Sequence, residues 1–175
     1  MMSDMLLYEA DIGVLRVMVN TEYITTLRTG ASAANLVFLL TKSNFKTVGL
    51  IGLGNIMSAC VDMFTKRTKD RSLICKALQA SQSGNPFPKR YKSYSKITFE
   101  LCDTYKEMIK GSDIVISAWT RAEFNFCSND CYNEGCKVSP IVTLEFQNCD
   151  LFFDHIYMNE IERIRGFKYC NSFKQ

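Results

Sequence analysis

Only one histidine, His155, occurs in the 175 residues, and none of the eight cysteines stands in a Cys-x-x-Cys pair. The cysteines lie at positions 60, 75, 102, 127, 131, 136, 149 and 170. Cys127, Cys131 and Cys136 would offer three thiolates, but their spacing matches no standard zinc knuckle and no fourth ligand is evident. They are read as reduced, mostly structural thiols of a cytoplasmic protein, with no metal expected. Uninterrupted apolar runs of about 18 residues are absent, so no membrane span is expected. The longest apolar helix candidate, Ala31 to Leu40, is short and carries Ser32 and Asn35. The start, Met1-Met2-Ser3-Asp4, lacks a basic n-region and a following apolar stretch, and no secretory leader is expected. Charge of one sign is also scarce: the net charge is +3. The densest basic run, Lys89-Arg90-Tyr91-Lys92, is short and interrupted, which fits a solvated loop and not a nucleic-acid surface.

What is present is an ordinary globular balance, 47% hydrophobic and 22% charged residues, which excludes a disordered or fibrous chain. The length allows one domain, or one domain and a fragment of a second. A chain of this size buries roughly two thirds of the surface it exposes when unfolded.

Along the chain, Leu6-Leu7-Tyr8 and Val14 to Val19 read as a hairpin or two strand pieces, with Gly13 after Asp11 marking the turn. Asn20 or Thr21 offers a helix cap. Tyr23, Leu27, Ala31, Ala34 and Phe38 then recur at helical spacing from Glu22 to about Leu40. Small residues at 30–34 would let that helix pack closely. Thr47-Val48-Gly49-Leu50-Ile51 is a continuous apolar run, the pattern of a strand buried on both faces of a parallel sheet. A helix is predicted from about Ile56 to Lys66, and a second strand over Leu73-Ile74-Cys75-Lys76-Ala77-Leu78. Positions 81–88, rich in Ser, Gly and Pro, read as a loop where a crossover helix would otherwise come. Ile97 to Leu101 alternates as a strand. Asp103 or Thr104 caps a short helix closed by Gly111, and Asp113 to Ala118 is another buried strand. Gly135 to Thr143 and Leu151 to Tyr157 are further strand candidates. Strands alternating with helices specify an α/β fold of Rossmann type, doubly wound around a mostly parallel sheet.

The candidate site follows the first buried strand. Strand, Gly52-Leu53-Gly54 and helix, in that order, form a dinucleotide-binding fingerprint in its proper context. Gly52 permits the sharp turn, and Gly54 lets a pyrophosphate approach the backbone. The helix opening at Asn55 and Ile56 aims its free N–H groups and positive dipole end at the phosphates. The third glycine of the pattern is replaced by Met57. The acidic residue that would bind the ribose hydroxyls about 20 residues on is missing, because the second strand runs out in Ala77-Leu78-Gln79-Ala80. Lys76 would favour a 2′-phosphate or stand as an exposed strand residue, so NAD and NADP both remain open. Ligands of doubly wound sheets lie beyond the carboxyl ends of strands. That places Ser117, Ala118 and Trp119 near the dinucleotide, unless Trp119 is plain core packing.

These residues bring out a family. Tyr23-Ile24-Thr25-Thr26-Leu27-Arg28-Thr29-Gly30-Ala31-Ser32, followed by Lys46 to Gly54, resembles the ornithine cyclodeaminase/μ-crystallin family, whose members carry a Leu-Thr-x-x-Arg-Thr-Gly/Ala-Ala helix directly before the dinucleotide-binding strand. The likeness continues through Gly111 to Ala118 and more weakly to about Asp154. It implies NAD or NADP as cofactor and a small amino acid or its imine as substrate. Family enzymes move the α-hydride of an amino acid to the dinucleotide; in ornithine cyclodeamination the resulting imine is closed to proline with loss of ammonia. The resemblance implies that Arg28 binds the substrate carboxylate, a pairing suited to a planar guanidinium, and that Thr29 lies near the cofactor phosphates. A gapless placement puts Leu144 where the family has its catalytic aspartate. Glu145 beside it is the remaining candidate, and the catalytic residue is otherwise open.

Family members are considerably longer, with an N-terminal substrate and dimerisation domain. Residues 1–20 are therefore expected to be a remnant of that second, α+β domain, residues 21–160 the dinucleotide-binding domain and residues 161–175 a C-terminal tail. Two functions follow. One is hydride transfer on a small amino acid or imine. The other is dinucleotide binding without turnover, by a fragment or subunit that needs a complementing chain or a second copy.

Overall fold

The computed structural model describes residues 3–41, 45–68, 71–78, 87–119, 127–141, 153–155 and 157. It opens with a hairpin, β1 (Asp4–Tyr8) paired antiparallel with β2 (Leu15–Asn20). Gly13 at φ 66° lies in the connecting turn, a conformation that glycine reaches without steric cost. Every residue of both strands is exposed, among them Met5, Leu7, Tyr8, Leu15, Val17 and Met18.

Helix α1 (Glu22–Leu40) follows directly. The two expected capping residues divide the task. Thr21 holds the cap position but donates its hydroxyl to the carbonyl of Ser3, while Asn20 Oδ1 accepts from the Glu22 N–H at 3.1 Å.

The sheet itself is built from β3 (Thr47–Ile51), β4 (Leu73–Leu78), β5 (Ile97–Cys102), β6 (Ile114–Ser117) and β7 (Lys137–Pro140), in the order β5-β4-β3-β6-β7. All four pairings are parallel. The chain leaves β3 toward β4 on one side and returns to β6 on the other, so the topological switch lies between β3 and β6. The continuous apolar runs at β3 and β6 are the inner strands, as strands covered on both faces must be.

Alternation along the strands distributes side chains between two cores. On one face Val48, Leu50, Ile114 and Ile116 meet Ala34 and Val37 of α1 and Met57, Cys60 and Phe64 of α2 (Asn55–Arg67). Phe38, Phe45 and Phe64 close this core with ring centroids 5.3–5.9 Å apart. On the other face Ile51 and Val115 meet Met108 and Ile109 of α4 (Tyr105–Ile109) and Cys131 and Tyr132. Thr104 Oγ1 caps α4 by accepting from Glu107 N, Glu107 Oε2 accepts from Asp103 N, and Gly111 follows the helix at φ 78°.

Three readings from the sequence need correction. The loop expected over 81–88 gives way at its end to a one-turn helix, α3 (Phe87–Arg90). Proline is tolerated in a first helical turn, where no intrahelical N–H bond is due. Phe87 is buried against Tyr91 and Phe99, with centroids 5.2 and 6.0 Å away. That helix also takes Lys89 and Arg90 out of loop structure, and Arg90 pairs with Asp62 of α2 at 3.0 Å. Second, the strand predicted over Leu151–Tyr157 does not form at its described residues, 153–155 and 157. Phe153 spends its apolar surface on Tyr132 instead, 5.5 Å between centroids. Third, the strand expected from Gly135 to Thr143 covers only Lys137–Pro140 among the described residues, since Gly135 at φ 75° belongs to the turn before it.

Burial pushes the thiols of Cys60 and Cys75 up to about 12. The unfolded chain releases these protons near pH ~8.5, whereas the folded chain keeps them until about 12. The unfolded state therefore binds fewer protons across that window, and stability should fall as pH rises through it. Denaturant midpoints measured from pH 8 upward should decline, and alkylation at pH 8 should spare Cys60 and Cys75 until the protein unfolds. Labelling of both in the native state would contradict this.

Candidate functional site

At the carboxyl end of β3 the chain turns sharply into α2. Gly52 adopts φ 79°, a left-handed conformation that favours glycine. A Cβ on it would lie 3.0 Å from the carbonyl carbon and oxygen of Ala118 and from the N–H nitrogen of Trp119. The turn thus rests on the backbone that leaves β6, held there by the Ala118 N–H donating to Ile51 O at 2.9 Å. The Gly-x-Gly turn and the 117–119 segment are brought together at the switch point, where α/β sheets open a crevice.

Gly54 occupies the cap position of α2 at φ −93° and ψ −167°, and no side chain caps this helix start. Among the described residues, a Cβ at Gly54 would meet nothing within 4 Å. Among the described residues, then, no side chain bonds the first N–H groups of this 13-residue helix and none fills the space at Gly54 beside them. Unsatisfied N–H groups and the positive helix end together favour an anion. Asn55 is exposed, Ile56 half-buried and Leu53 buried.

The replaced third glycine has a structural explanation. Met57 is fully buried in the first core. Close approach is supplied from another element: a Cβ on Gly30 of α1 would lie 2.6 Å from Ile56 O, 2.7 Å from Ala59 Cβ and 2.8 Å from Cys60 N. The backbones of α1 and α2 touch at this seam, at the first turn of α2. Arg28 and Thr29 stand two residues and one residue before the contact, Arg28 exposed and Thr29 half-buried. The two sequence signatures, Arg-Thr-Gly and Gly-x-Gly, are joined there in space.

Ser117 closes β6 with its hydroxyl fully buried, and it is the one buried side-chain polar atom without a hydrogen-bond partner among the described residues. Such a group costs about 1–3 kcal/mol unless a ligand group or an ordered water bonds it. Trp119 keeps 36% of its surface exposed, so it is not core packing. Its ring lies 5.8 Å from that of Tyr105, the first residue of α4. Burial pushes the Tyr105 phenol up to about 12. Tyr105 is a neighbour of the candidate site that the sequence reading missed; the only signal was an aromatic directly after a helix cap beyond a strand.

Lys76 is placed elsewhere. Its ammonium donates to the carbonyl of Lys110 at 2.9 Å, on the face of the sheet covered by α4. It closes the end of α4 and is neither a free exposed residue nor aimed at a ribose phosphate. Glu145 lies outside the described residues. Cys131 is buried and Cys127 and Cys136 are half-buried. Among the described residues no three His, Cys, Asp or Glu side chains gather where a metal would be held, and no helix is long and apolar enough to cross a membrane.

Comparison with known proteins adds to this geometry. The sequence profile of the ornithine cyclodeaminase/mu-crystallin family matches residues 1–148. No curated protein sequence matches the chain. Among solved structures, CmnK superposes with a TM-score of 0.73 at 17% identity, over 94% of this chain and 49% of that one. An archaeal alanine dehydrogenase dimer with bound NAD gives a TM-score of 0.64 at 19% identity, over 78% of this chain and 41% of that one. The Δ1-pyrroline-2-carboxylate reductase of Thermococcus litoralis, in complex with NADH and L-proline, gives 0.61 at 22% identity, over 79% and 42%. The chain thus spans about half the length of the solved structures it matches, and the shared feature is the Rossmann-type fold.

Proposed function

Because this chain belongs to the ornithine cyclodeaminase/mu-crystallin family, we propose that it binds NAD or NADP and serves hydride transfer on a small amino acid or its imine. One observation carries the reading: the uncapped start of α2 opens beside Gly54 on a turn that only glycine at 52 allows. Gly52, Leu53, Gly54, Asn55 and Ile56 would hold the pyrophosphate through backbone N–H groups, with Thr29 beside them. Ser117, Ala118 and Trp119 would form the wall across the crevice. The dinucleotide supplies a nicotinamide carbon that accepts or returns a hydride. Arg28 would grip the substrate carboxylate and orient the α-carbon. Glu145 is the candidate for moving a proton. We propose that residues 21–160 form the dinucleotide-binding domain and that residues 1–20 belong to a substrate domain.

Absorption of Lys76 by Lys110 removes the one cation that argued for a 2′-phosphate, so both coenzymes belong in the test. Titration with NADH and NADPH should give binding on the order of micromolar. Failure of both to bind would remove the proposal.

A second reading is favoured by the hairpin, whose apolar side chains stand in solvent. Exposure of that kind marks a surface that another chain covers. The chain would then bind dinucleotide as one part of an assembly, with a second copy or a complementing chain. A hydride-transfer assay with a panel of amino acids separates the readings: turnover by this chain alone supports the first, and binding without turnover supports the second.

A further inference from the structure

We propose that the segment 163–175 of this same chain covers the exposed β1–β2 hairpin. The inference is independent of the dinucleotide, and it gives the hairpin a cover other than the separate chain of the second reading above. Some cover is needed. Neighbouring residues of a strand face opposite sides, and Leu6, Leu7 and Tyr8 on β1, like Val17 and Met18 on β2, are all exposed. Among the described residues nothing covers either face of the hairpin. Tyr23 and Ile24 carry the apolar surface onward to the start of α1. A two-stranded hairpin by itself is at best marginally stable in water.

Charge points to the occupant. Residues 1–22 carry Asp4, Glu9, Asp11 and Glu22 against one base, Arg16, and Arg16 is taken up by Glu9. The apolar surface is thus rimmed by carboxylates in a chain whose net charge is +3. Such a rim is repelled by an anionic lipid surface. In a twofold contact the same patch meets itself, and like charges brought together are costly. The surface suits an apolar segment with cationic side chains. In residues 163–175, Arg163, Arg165, Lys168 and Lys174 are interleaved with Ile164, Phe167, Tyr169 and Phe173, and no acidic residue occurs. The family match ends at residue 148, so this segment is not part of the matched pattern. Reach is sufficient. Tyr157 is the last described residue, and the 18 residues after it span up to about 60 Å when extended. A compact domain of this size has a radius of gyration of about 15 Å. Tethering holds the segment at an effective concentration on the order of millimolar, above that of any copy in dilute solution.

A zero-length carbodiimide joins carboxylates to amines only where they touch. In the full chain it should link Lys168 or Lys174 to Asp4, Asp11 or Glu22 within a monomer-sized product. Amide exchange across residues 4–20 should be at least about tenfold slower in the full chain than in one ending at Tyr157, with β3 and β6 alike in the two. In the full chain, Lys168→Glu with Lys174→Glu should speed exchange of the hairpin, and adding Asp4→Lys and Glu22→Lys should recover part of the loss. Those full-length variants decide the matter if the shortened chain does not fold. Equal hairpin exchange throughout, with no cross-link to the hairpin, overturns the inference. Links found only in dimer-sized products overturn it too, because the cover then comes from another copy. NADH titration of the same proteins reads the coenzyme site separately, so failure of either proposal leaves the other standing.

Discussion

Replacing Gly54 with valine is expected to lower NADH affinity by about 100-fold or more while leaving the melting temperature within about 2 °C of the parent. The two halves of this expectation have separate causes. The backbone at Gly54, φ −93° and ψ −167°, is open to any residue. No atom of the described residues lies within 4 Å of the position a Cβ would take, which leaves room for the side chain. That room is the space above the first turn of α2. A branched side chain there holds the phosphates off the N–H groups, and losing two hydrogen bonds to a charged group, each worth about 1.5–3 kcal/mol, accounts for the factor. Calorimetric titration of both proteins, with thermal melts alongside, checks it. Equal affinity would mean that no diphosphate rests on this turn. Gly52 would make a poorer probe: with φ 79° and backbone 3.0 Å away, its substitution disturbs folding and binding together.

Gly30→Ala should destabilise the fold by about 2 kcal/mol, a fall of roughly 4–8 °C in melting temperature. Helix propensity alone argues the opposite, since alanine is better than glycine in a helix by about 1 kcal/mol. Packing decides the sign. The added methyl would sit 2.6 Å from Ile56 O and 2.8 Å from Cys60 N. These are backbone atoms of α2 and cannot turn aside as a flexible side chain would. The helices must separate, and the core of Ala33, Ala34, Val37 and Met57 between them loosens. A leucine at 30 should prevent a stable fold. A higher melting temperature for Gly30→Ala would show that α1 and α2 do not meet as described.

The glycine seam also shows where sequence reading stops. The β3 run, the Gly-x-Gly turn and the hairpin at Gly13 were legible because each is a local pattern with a local cause: apolar continuity, a left-handed turn, a reversal. That small residues at 30–34 let the helix pack closely was legible, but that Gly30 takes over the role left vacant by Met57 was not. Close approach is a property of two surfaces, and the small residue that provides it lies 27 positions earlier, on another helix. For Lys76 the sequence left a 2′-phosphate contact and an exposed strand position open, for a related reason. Its strand position was correct, but its partner is a carbonyl at 110 that only the sheet's winding brings near. Tyr105 escaped notice because nothing in its neighbourhood marks it until β5 and β6 are placed two strands apart with α4 between them. Phe153 carried a strand-like pattern locally, yet its apolar surface was claimed by Tyr132.

The contact at Gly30 has a mechanical corollary. Backbone pressed on backbone leaves no layer of side chains to slide, so the helix bearing Arg28 and the turn bearing Gly52 are a single lever. Arg28 is therefore tied through Gly30 to the start of α2 and the Gly-x-Gly turn, and not to the exposed β1–β2 hairpin.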